Sequence, residues 1–174
     1  CVMYYSNKIY KEDLMRVLNG NINFKLLYGS NILITGASGM IGSFLVDVLI
    51  LCNELFDYKI NVFAMGRNKL ALEKRFKTHC GNPYFHVIQH DVCFKPNCNI
   101  NFDYIIHAAS NASPKTFSSD PVGTIMGNVW GVYNLLEYSR QMNIKRFLFI
   151  SSGEIYGQGT SDINEFTELY SGYV

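Results

Sequence analysis

Residues 31–51 read NILITGASGMIGSFLVDVLIL. The first five residues form an apolar run of strand length, and the segment after the last glycine has the apolar content of a buried helix. Gly36, Gly39 and Gly42 lie between the two. A turn of this kind lets the backbone approach a phosphate, while the free N–H groups and the positive end of the helix dipole face the anion. The segment therefore predicts a phosphate-binding turn inside a strand–helix unit.

Each glycine has a separate expected role. Gly36 makes the turn, Gly39 permits close approach of a ligand, and Gly42 lets the helix pack on the strand. An ordinary glycine-rich turn of an α/β protein is the plainer alternative. A mononucleotide P-loop is excluded because no Gly-Lys-Ser/Thr follows the turn.

The pattern outside this unit repeats it. Apolar runs of strand length alternate with helical segments, which is typical of a parallel sheet that is covered on both faces. The predicted strands are 31–35, 60–65, 85–90, 103–107 and 146–151. The predicted helices are 40–53, 68–79 and 121–142, the last with Asp120 as its N-cap and Pro121 in its first turn. The fold class expected is α/β, a Rossmann-type doubly wound parallel sheet that is incomplete at its C-terminal side.

The chain divides into two expected parts. Residues 1–29 form an N-terminal extension whose amphipathic stretch, Tyr10–Leu18, is expected to pack on the outside of the domain. Residues 30–174 are expected to form one domain with this α/β fold.

Composition excludes several classes of protein. The 174 residues are 48% hydrophobic and carry a net charge of +1 without a basic block, so disorder, a nucleic-acid partner and a membrane-surface partner are not expected. No apolar run approaches the roughly 20 residues of a membrane span, and no secretory signal is visible, so the cytoplasm is the expected location. The five cysteines are odd in number and include no C-x-x-C. Reduced thiols are therefore expected and a metal site is not, although Cys93 and Cys98 lie near His90.

Three motifs together resemble a known family. The glycine spacing is G-x-x-G-x-x-G, His107-Ala-Ala follows the fourth predicted strand, and Ser151-Ser-Gly-Glu-Ile-Tyr-Gly157 follows the fifth. The segment from Asn31 to Tyr156 is similar to the extended branch of the short-chain dehydrogenase/reductase superfamily, which contains nucleotide-sugar epimerases, dehydratases and decarboxylases. The resemblance implies a nucleotide-sugar substrate, an NAD or NADP cofactor and a homodimer of the full-length protein.

The resemblance also assigns the cofactor contacts. Asp91 and Val92 match an adenine-contacting pair, the small residues after His107 match a segment that lines the pyrophosphate and the nicotinamide ribose, and Asn128 matches a helix asparagine near the cofactor. His107 itself is expected to be structural. The expected cofactor-binding residues are Gly36, Ser38, Gly39, Met40, Ile41, Gly42, Arg67, Asp91, Val92, Ala108, Ala109, Ser110 and Asn128.

The end of the second strand bears on the choice of cofactor. An acidic residue at this place accepts hydrogen bonds from the ribose 2′-OH of NAD, but the sequence here is Ala64-Met-Gly-Arg67-Asn68. Arg67 can pair with a 2′-phosphate, so NADP is slightly favoured over NAD. A solvated Arg67 is the alternative.

The resemblance identifies Ser152 and Glu154 as catalytic residues. Ser152 matches the residue that hydrogen-bonds the sugar hydroxyl being oxidised, and Glu154 matches an acid/base carboxylate of dehydratases and decarboxylases. The 4,6-dehydratases carry Asp-Glu, whereas Gly153 precedes the glutamate here, so decarboxylation is slightly ahead of dehydration and epimerisation. The alternative from another class is a dinucleotide-binding sensor or scaffold without catalysis.

A catalytic base is still required for the sugar C4 hydroxyl. In the family it is the Tyr of Tyr-x-x-x-Lys, whose lysine lowers the tyrosine pKa. Tyr156 and Tyr170 lack a lysine four positions on. The motif and the substrate-binding lobe are therefore expected beyond Val174, and residues 1–174 alone are expected to be inactive.

Overall fold

The computed structural model describes residues 7–111, 114–159, 164–170 and 172. A parallel sheet of five strands in the order β3-β2-β1-β4-β5 forms its centre. The strands are β1 Asn31–Thr35, β2 Asn61–Gly66, β3 Phe85–Gln89, β4 Tyr104–His107 and β5 Arg146–Phe149. Each predicted strand is present, with ends that differ by at most two residues, and the Rossmann-type α/β prediction is confirmed.

Helices cover the two faces of this sheet. The helices of the described residues are α1 Lys8–Leu18, α2 Met40–Phe56, α3 Lys69–Arg75, α4 Pro114–Ser119 and α5 Pro121–Met142, of which α4 packs on α5. The predicted bounds of α5 are confirmed, as is Asp120 as its N-cap. The predicted helix 68–79 is instead α3 followed by a short 3-10 turn at Lys77–His79, because Phe76 leaves the helical conformation.

Two hydrophobic cores lie on opposite faces of the sheet because side chains alternate along each strand. Ile32 and Ile34 of β1 pack with α1, α2 and α3. Leu33 of β1 and Ile105 of β4 face the other way and pack with Leu135 of α5. Strands buried on both faces explain the continuous apolar runs of the sequence.

The N-terminal helix shares the first core. Leu14 of α1 is fully buried, and the Tyr10 hydroxyl donates a 2.6 Å hydrogen bond to Oδ2 of Asp47 on α2. Asp47 also lies 2.5 Å from Nη2 of Arg75 and 2.7 Å from Nε2 of His79. One buried carboxylate therefore joins α1, α2 and the end of the α3 segment.

The strand order reverses beside β1. The chain runs from β1 outward to β3 and then returns to place β4 on the other side of β1. In open α/β sheets a crevice forms at this point, at the carboxyl ends of the strands, because the loops after the two central strands diverge. Among the described residues, no helix is long and apolar enough to cross a bilayer.

Candidate functional site

A cavity of about 230 Å³ opens at this reversal point. The ends of β1, β2, β3 and β4 and the first two turns of α5 surround it. Its lining residues are Gly36, Ser38, Gly39, Met65, Gly66, Arg67, His90, Asp91, Val92, Cys93, Ala108, Ala109, Ser110, Asn111, Gly123 and Gly127. The structure thus brings together most of the predicted cofactor residues, from four separate parts of the chain.

The glycine turn, residues 36–42, is packed so closely that a side chain is excluded at two of its positions, Gly36 and Gly42. Gly36 has φ +63°, and a Cβ there would lie 2.5 Å from the carbonyl oxygen of Ala108. A Cβ on Gly42 would lie 2.5 Å from the carbonyl oxygen of Gly36. The first contact joins β1 to the loop after β4, and the second sets the first turn of α2 against the end of β1.

The N-terminus of α2 has no side-chain cap. Its N-cap residue is Gly39, whereas Asn68 and Asp120 cap α3 and α5 with their side-chain oxygens. The first backbone N–H groups of a helix have no partner within the helix, so those of Met40, Ile41 and Gly42 are free of intrahelical bonds. An uncapped helix start beside a cavity suits an anion such as a pyrophosphate.

Two of these first-turn residues have exposed side chains that do not line the cavity. The Met40 side chain is 86% exposed and that of Ile41 is 48% exposed, and neither lines the cavity. Their predicted contribution is therefore through backbone N–H groups.

Arg67 lies at the mouth of the cavity, directly after β2. Its Nη2 is 3.4 Å from Oδ1 of Asn111, which follows β4. Because β1 lies between β2 and β4, this contact crosses the end of β1 above the glycine turn. The guanidinium is exposed, and no carboxylate follows β2, so a phosphate on an adjacent ribose would meet a cation.

Asp91 and Val92 form a turn after β3 at one side of the cavity. Oδ1 of Asp91 accepts the N–H of Cys93 at 3.0 Å, which fixes the carboxylate against the backbone. The Asn134 side chain of α5 donates to the carbonyl of Val92 at 3.0 Å. A Cβ on Gly131 would lie 2.9 Å from Cγ2 of Val92, so α5 packs directly on this turn.

Asn128 lies outside the cavity lining but contacts a residue that belongs to it. Oγ of Ser110 donates to Oδ1 of Asn128 at 2.8 Å, which joins the loop after β4 to α5. Both side chains are exposed. A ligand in the cavity would therefore contact Ser110 directly and would reach Asn128 either next to Ser110 or by way of its hydrogen bond to Ser110.

His107 is buried under the cavity. It is 1% exposed, and burial lowers its pKa to about 4, so the ring is neutral at pH 7. Its Nδ1 lies 2.7 Å from Oγ1 of Thr35. The absence of His107 from the cavity lining agrees with the structural role expected for it.

Ser152 and Glu154 follow β5 at the same edge of the sheet. The N–H of Ile150 donates to the carbonyl of His107 at 3.0 Å, which keeps this segment beside β4. The Ser152 hydroxyl oxygen accepts the N–H of Glu154 at 3.3 Å and caps a short 3-10 turn, Gly153–Tyr156. Both side chains are exposed, and neither lines the cavity. The Ser152 hydroxyl can still donate its hydrogen to a ligand.

Several cavity residues were missed by the sequence analysis. They are Met65, Gly66, His90, Cys93, Asn111, Gly123 and Gly127. The spacing of Gly123, Gly127 and Gly131, one glycine per turn of α5, was an available signal that this helix approaches the ligand closely. The others lie in the last two residues of a strand or in the loop after it, and they carry no pattern of their own. In the described part of the chain, no group of three or more His, Cys, Asp or Glu side chains is placed to hold a metal ion.

The fold and the cavity define a Rossmann-type α/β protein, and comparison with known proteins gives its family. Residues 32–173 match the NAD dependent epimerase/dehydratase family, and the chain belongs to it. The predicted resemblance to the extended short-chain dehydrogenase/reductases is thereby confirmed.

Relatives and solved structures agree with this membership. The chain is 36% identical over 129 residues to UDP-glucuronic acid decarboxylase 2 of Arabidopsis thaliana, covering 74% of this chain and 27% of that protein. It is 35% identical over 144 residues to UDP-glucuronic acid decarboxylase 1 of Xenopus tropicalis, covering 82% and 31%. A UDP-glucose-4-epimerase from Stenotrophomonas maltophila with bound NAD and formylated UDP-arabinopyranose superposes with TM-score 0.63 at 22% identity, covering 82% of this chain and 42% of that one. The chain thus spans less than half the length of each of these proteins.

Proposed function

We propose that this chain is the dinucleotide-binding part of an enzyme that modifies a nucleotide sugar by transient oxidation at C4. The uncapped N-terminus of α2 at the cavity is the observation that carries the cofactor part of the proposal. Family membership and the UDP-glucuronic acid decarboxylases among its relatives support the substrate class.

The cavity fits a dinucleotide in two respects. A Cβ on Gly36 would collide with the carbonyl of Ala108, so this part of the cavity wall consists of backbone atoms, without a side chain at Gly36. The N–H groups at the start of α2 supply donors for the pyrophosphate, and Asp91 supplies an acceptor at the opposite side, where the adenine amine is proposed to lie. A dinucleotide held here would supply the hydride acceptor for oxidation of the sugar and the hydride for the later reduction.

Arg67 bears on which dinucleotide is bound. A planar guanidinium pairs with phosphate through two parallel hydrogen bonds, and no carboxylate stands at the end of β2 to accept from a ribose hydroxyl. We therefore propose a preference for NADP, against the NAD bound in the solved relative.

Ser152 and Glu154 are proposed to act on the sugar. The hydroxyl of Ser152 donates a hydrogen bond to the C4 oxygen, and the Glu154 carboxylate moves a proton during the step that follows oxidation. A ketone at C4 makes loss of the carboxylate attached to C5 of a uronic acid favourable, because the electron pair left on C5 is delocalised into the ketone. Decarboxylation of a UDP-glucuronate-like substrate is the favoured reaction.

An exposed apolar stripe on α5 supports a homodimer of the full-length protein. The large apolar side chains on this stripe are Val122, Ile125, Met126, Val129, Trp130, Tyr133 and Leu136, each at least 40% exposed. They recur at helical spacing on the side of α5 turned away from Leu135, which packs on the sheet. A large exposed apolar patch is typical of a protein interface.

The cytoplasmic location stays a prediction.

The experiment that tests this function is a binding and turnover assay on the full-length protein. Equilibrium titration with NAD⁺ and NADP⁺ is followed by incubation with UDP-glucuronate, and release of CO₂ is measured. Binding with CO₂ release is the expected result. Binding without turnover on any nucleotide sugar would favour a sensor, and a folded protein that binds neither dinucleotide would overturn the proposal.

A further inference from the structure

The side chain of His107 makes a single hydrogen bond within the described residues, although it is almost completely buried. Its Nδ1 lies 2.7 Å from Oγ1 of Thr35, which is its register partner across β1 and β4 and is itself fully buried. Its Nε2 has no hydrogen-bond partner in that part of the chain. Buried polar atoms without a partner are rare in folded proteins, so this arrangement requires a reason.

Counting hydrogens assigns the tautomer. Oγ1 of Thr35 accepts the N–H of Ala109 at 3.3 Å, and the same hydroxyl has one hydrogen to donate. If Nδ1 of His107 is unprotonated, that hydrogen goes to Nδ1, and only the Nε2–H is left without a partner. If Nδ1 carries the proton, the hydroxyl hydrogen and the Nε2 lone pair are both left. The first arrangement leaves one unsatisfied group rather than two.

The surroundings of the ring keep it neutral. The ring stacks on Phe149 with centroids 5.6 Å apart, and Cε1 lies 3.6 Å from the place of a Cβ on Gly131. Burial lowers the pKa of His107 to about 4, so only one of the two ring nitrogens carries a proton near pH 7. A neutral imidazole can accept at Nδ1, whereas an imidazolium cannot.

The resulting chain of hydrogen bonds ends at the wall of the cavity. It runs from the Ala109 N–H to the Thr35 hydroxyl and on to Nδ1 of His107. The carbonyl of the same peptide, that of Ala108, lies against Gly36. Ala108 and Ala109 both line the cavity, so the orientation of this peptide sets where their methyl groups and backbone meet a ligand.

We propose that His107 and Thr35 are positioning residues for the dinucleotide: His107, as the Nε2–H tautomer, orients the Thr35 hydroxyl, which holds the Ala108–Ala109 peptide against the bound cofactor. This inference rests on the proposed function. A side chain with only a packing role at this site would be better served by an apolar ring, because Nε2 is buried without a partner. The hydrogen bond at Nδ1 is what an apolar ring cannot supply.

Two matched pairs of variants test the proposal in the full-length protein. Thr35→Val removes the hydroxyl at nearly constant shape, and Thr35→Ser keeps it. His107→Leu removes the acceptor, and His107→Asn keeps an acceptor close to the position of Nδ1. We expect loss of the hydrogen bond to raise the dinucleotide Kd about tenfold in Thr35→Val and His107→Leu, with the Ser and Asn variants within about threefold of wild type.

Stability is separated from positioning by a control in the same strand. Ile34→Val shortens a fully buried side chain of β1 that faces the other core, so it lowers the melting temperature while leaving the dinucleotide Kd unchanged. The tautomer is read directly from the ¹⁵N shifts of the imidazole nitrogens in histidine-labelled wild-type protein.

The outcomes separate the two proposals. Two outcomes would overturn the positioning role. One is an Nδ1–H tautomer in the wild type. The other is a wild type that binds dinucleotide and a Thr35→Val variant that binds it equally tightly. A folded wild type that binds neither dinucleotide would overturn the proposed function, whatever the tautomer. Weakened binding in Thr35→Val, rescue in Thr35→Ser and an Nε2–H ring together would support the positioning role.

Discussion

The α-carbon of Gly36 lies so close to the Ala108 carbonyl that a Cβ on Gly36 would be 2.5 Å from that oxygen. Real Cβ atoms do not approach backbone oxygen this closely, so one of the two strand ends would have to move. Since β1 and β4 flank the reversal point of the sheet, this contact sets the width of the cavity floor.

Gly36→Ala is therefore expected to impair both stability and binding. The φ of +63° alone costs an alanine about 1 kcal/mol, and the collision adds to it. Gly29→Ala is the matched control, because Gly29 has φ +66° with no atom within 4 Å of the added Cβ. Chemical denaturation and dinucleotide titration of both variants measure the difference. Equal losses in the two variants would show that strain, not the Ala108 contact, is responsible.

Arg67→Ala tests the proposed preference for NADP. The guanidinium is expected to pair with the 2′-phosphate, so NADP⁺ should bind about tenfold more weakly to the variant while NAD⁺ binding is almost unchanged. Lys69→Ala removes a nearby exposed cation that is 3.7 Å from Glu73 and serves as the control. Isothermal titration with both dinucleotides gives the two affinities. An equal change for NAD⁺ and NADP⁺ would exclude a role in choosing between them.

Glu154→Gln tests the acid/base role. Loss of the ionisable group is expected to lower kcat about 100-fold or more, with the dinucleotide Kd unchanged, because Glu154 lies outside the cavity lining. Glu165→Gln changes another exposed carboxylate of the same C-terminal segment and should leave kcat unaltered. The assay is CO₂ release from UDP-glucuronate by the full-length protein. Wild-type turnover in Glu154→Gln would remove this residue from the mechanism.

Asp47→Asn is expected to destabilise the protein by about 3 kcal/mol, because Arg75 then lies beside a neutral group. Burial alone would raise the pKa of Asp47, but hydrogen bonds from His79, Arg75 and Tyr10 outweigh it and lower the pKa below 3.8. The stabilisation is therefore full only at pH values well above 3.8, the pKa of an ordinary carboxyl group, and it is lost as the pH falls through the lower pKa of the folded state.

Urea denaturation across a pH series checks this prediction. The difference between wild type and Asp47→Asn should be constant from neutral pH down to about pH 5 and should shrink at lower pH. Asp57→Asn is the control. Asp57 also forms an ion pair, 3.8 Å from Lys59, but its side chain is 78% exposed. Because exposed ion pairs contribute little, this substitution should change the free energy of unfolding by less than about 1 kcal/mol. A difference that grows on acidification would contradict the assigned direction.

Val129→Glu tests the proposed dimer face of α5. Val129 is 60% exposed in the centre of the apolar stripe, and a buried glutamate in the interface should weaken association at least about tenfold. Gln141→Glu, an exposed position near the end of the same helix, introduces the same charge as a control. Sedimentation of the full-length proteins gives the masses. A monomeric wild type would refute the dimer.

The sequence predicted the fold because its signals are local. Alternating strand and helix periodicity, Asp120 before Pro121, and glycines between β1 and α2 each act within a few residues. Element ends were less accurate where a single residue breaks the helix, as Phe76 does. Short elements such as α4 have no distinct periodicity and were not predicted.

What the sequence by itself determined is the succession of strands and helices along the chain, the glycine turn and the residue types available after each strand. Only the tertiary structure decided which of these meet: Asn111 with Arg67, Gly123 and Gly127 with the cavity, and Thr35 with His107. These partners lie tens of residues apart in the sequence, or they are glycines, which have no side chain to indicate a contact. Their proximity depends on strand order and register, which are set by packing across the whole sheet rather than by neighbouring residues.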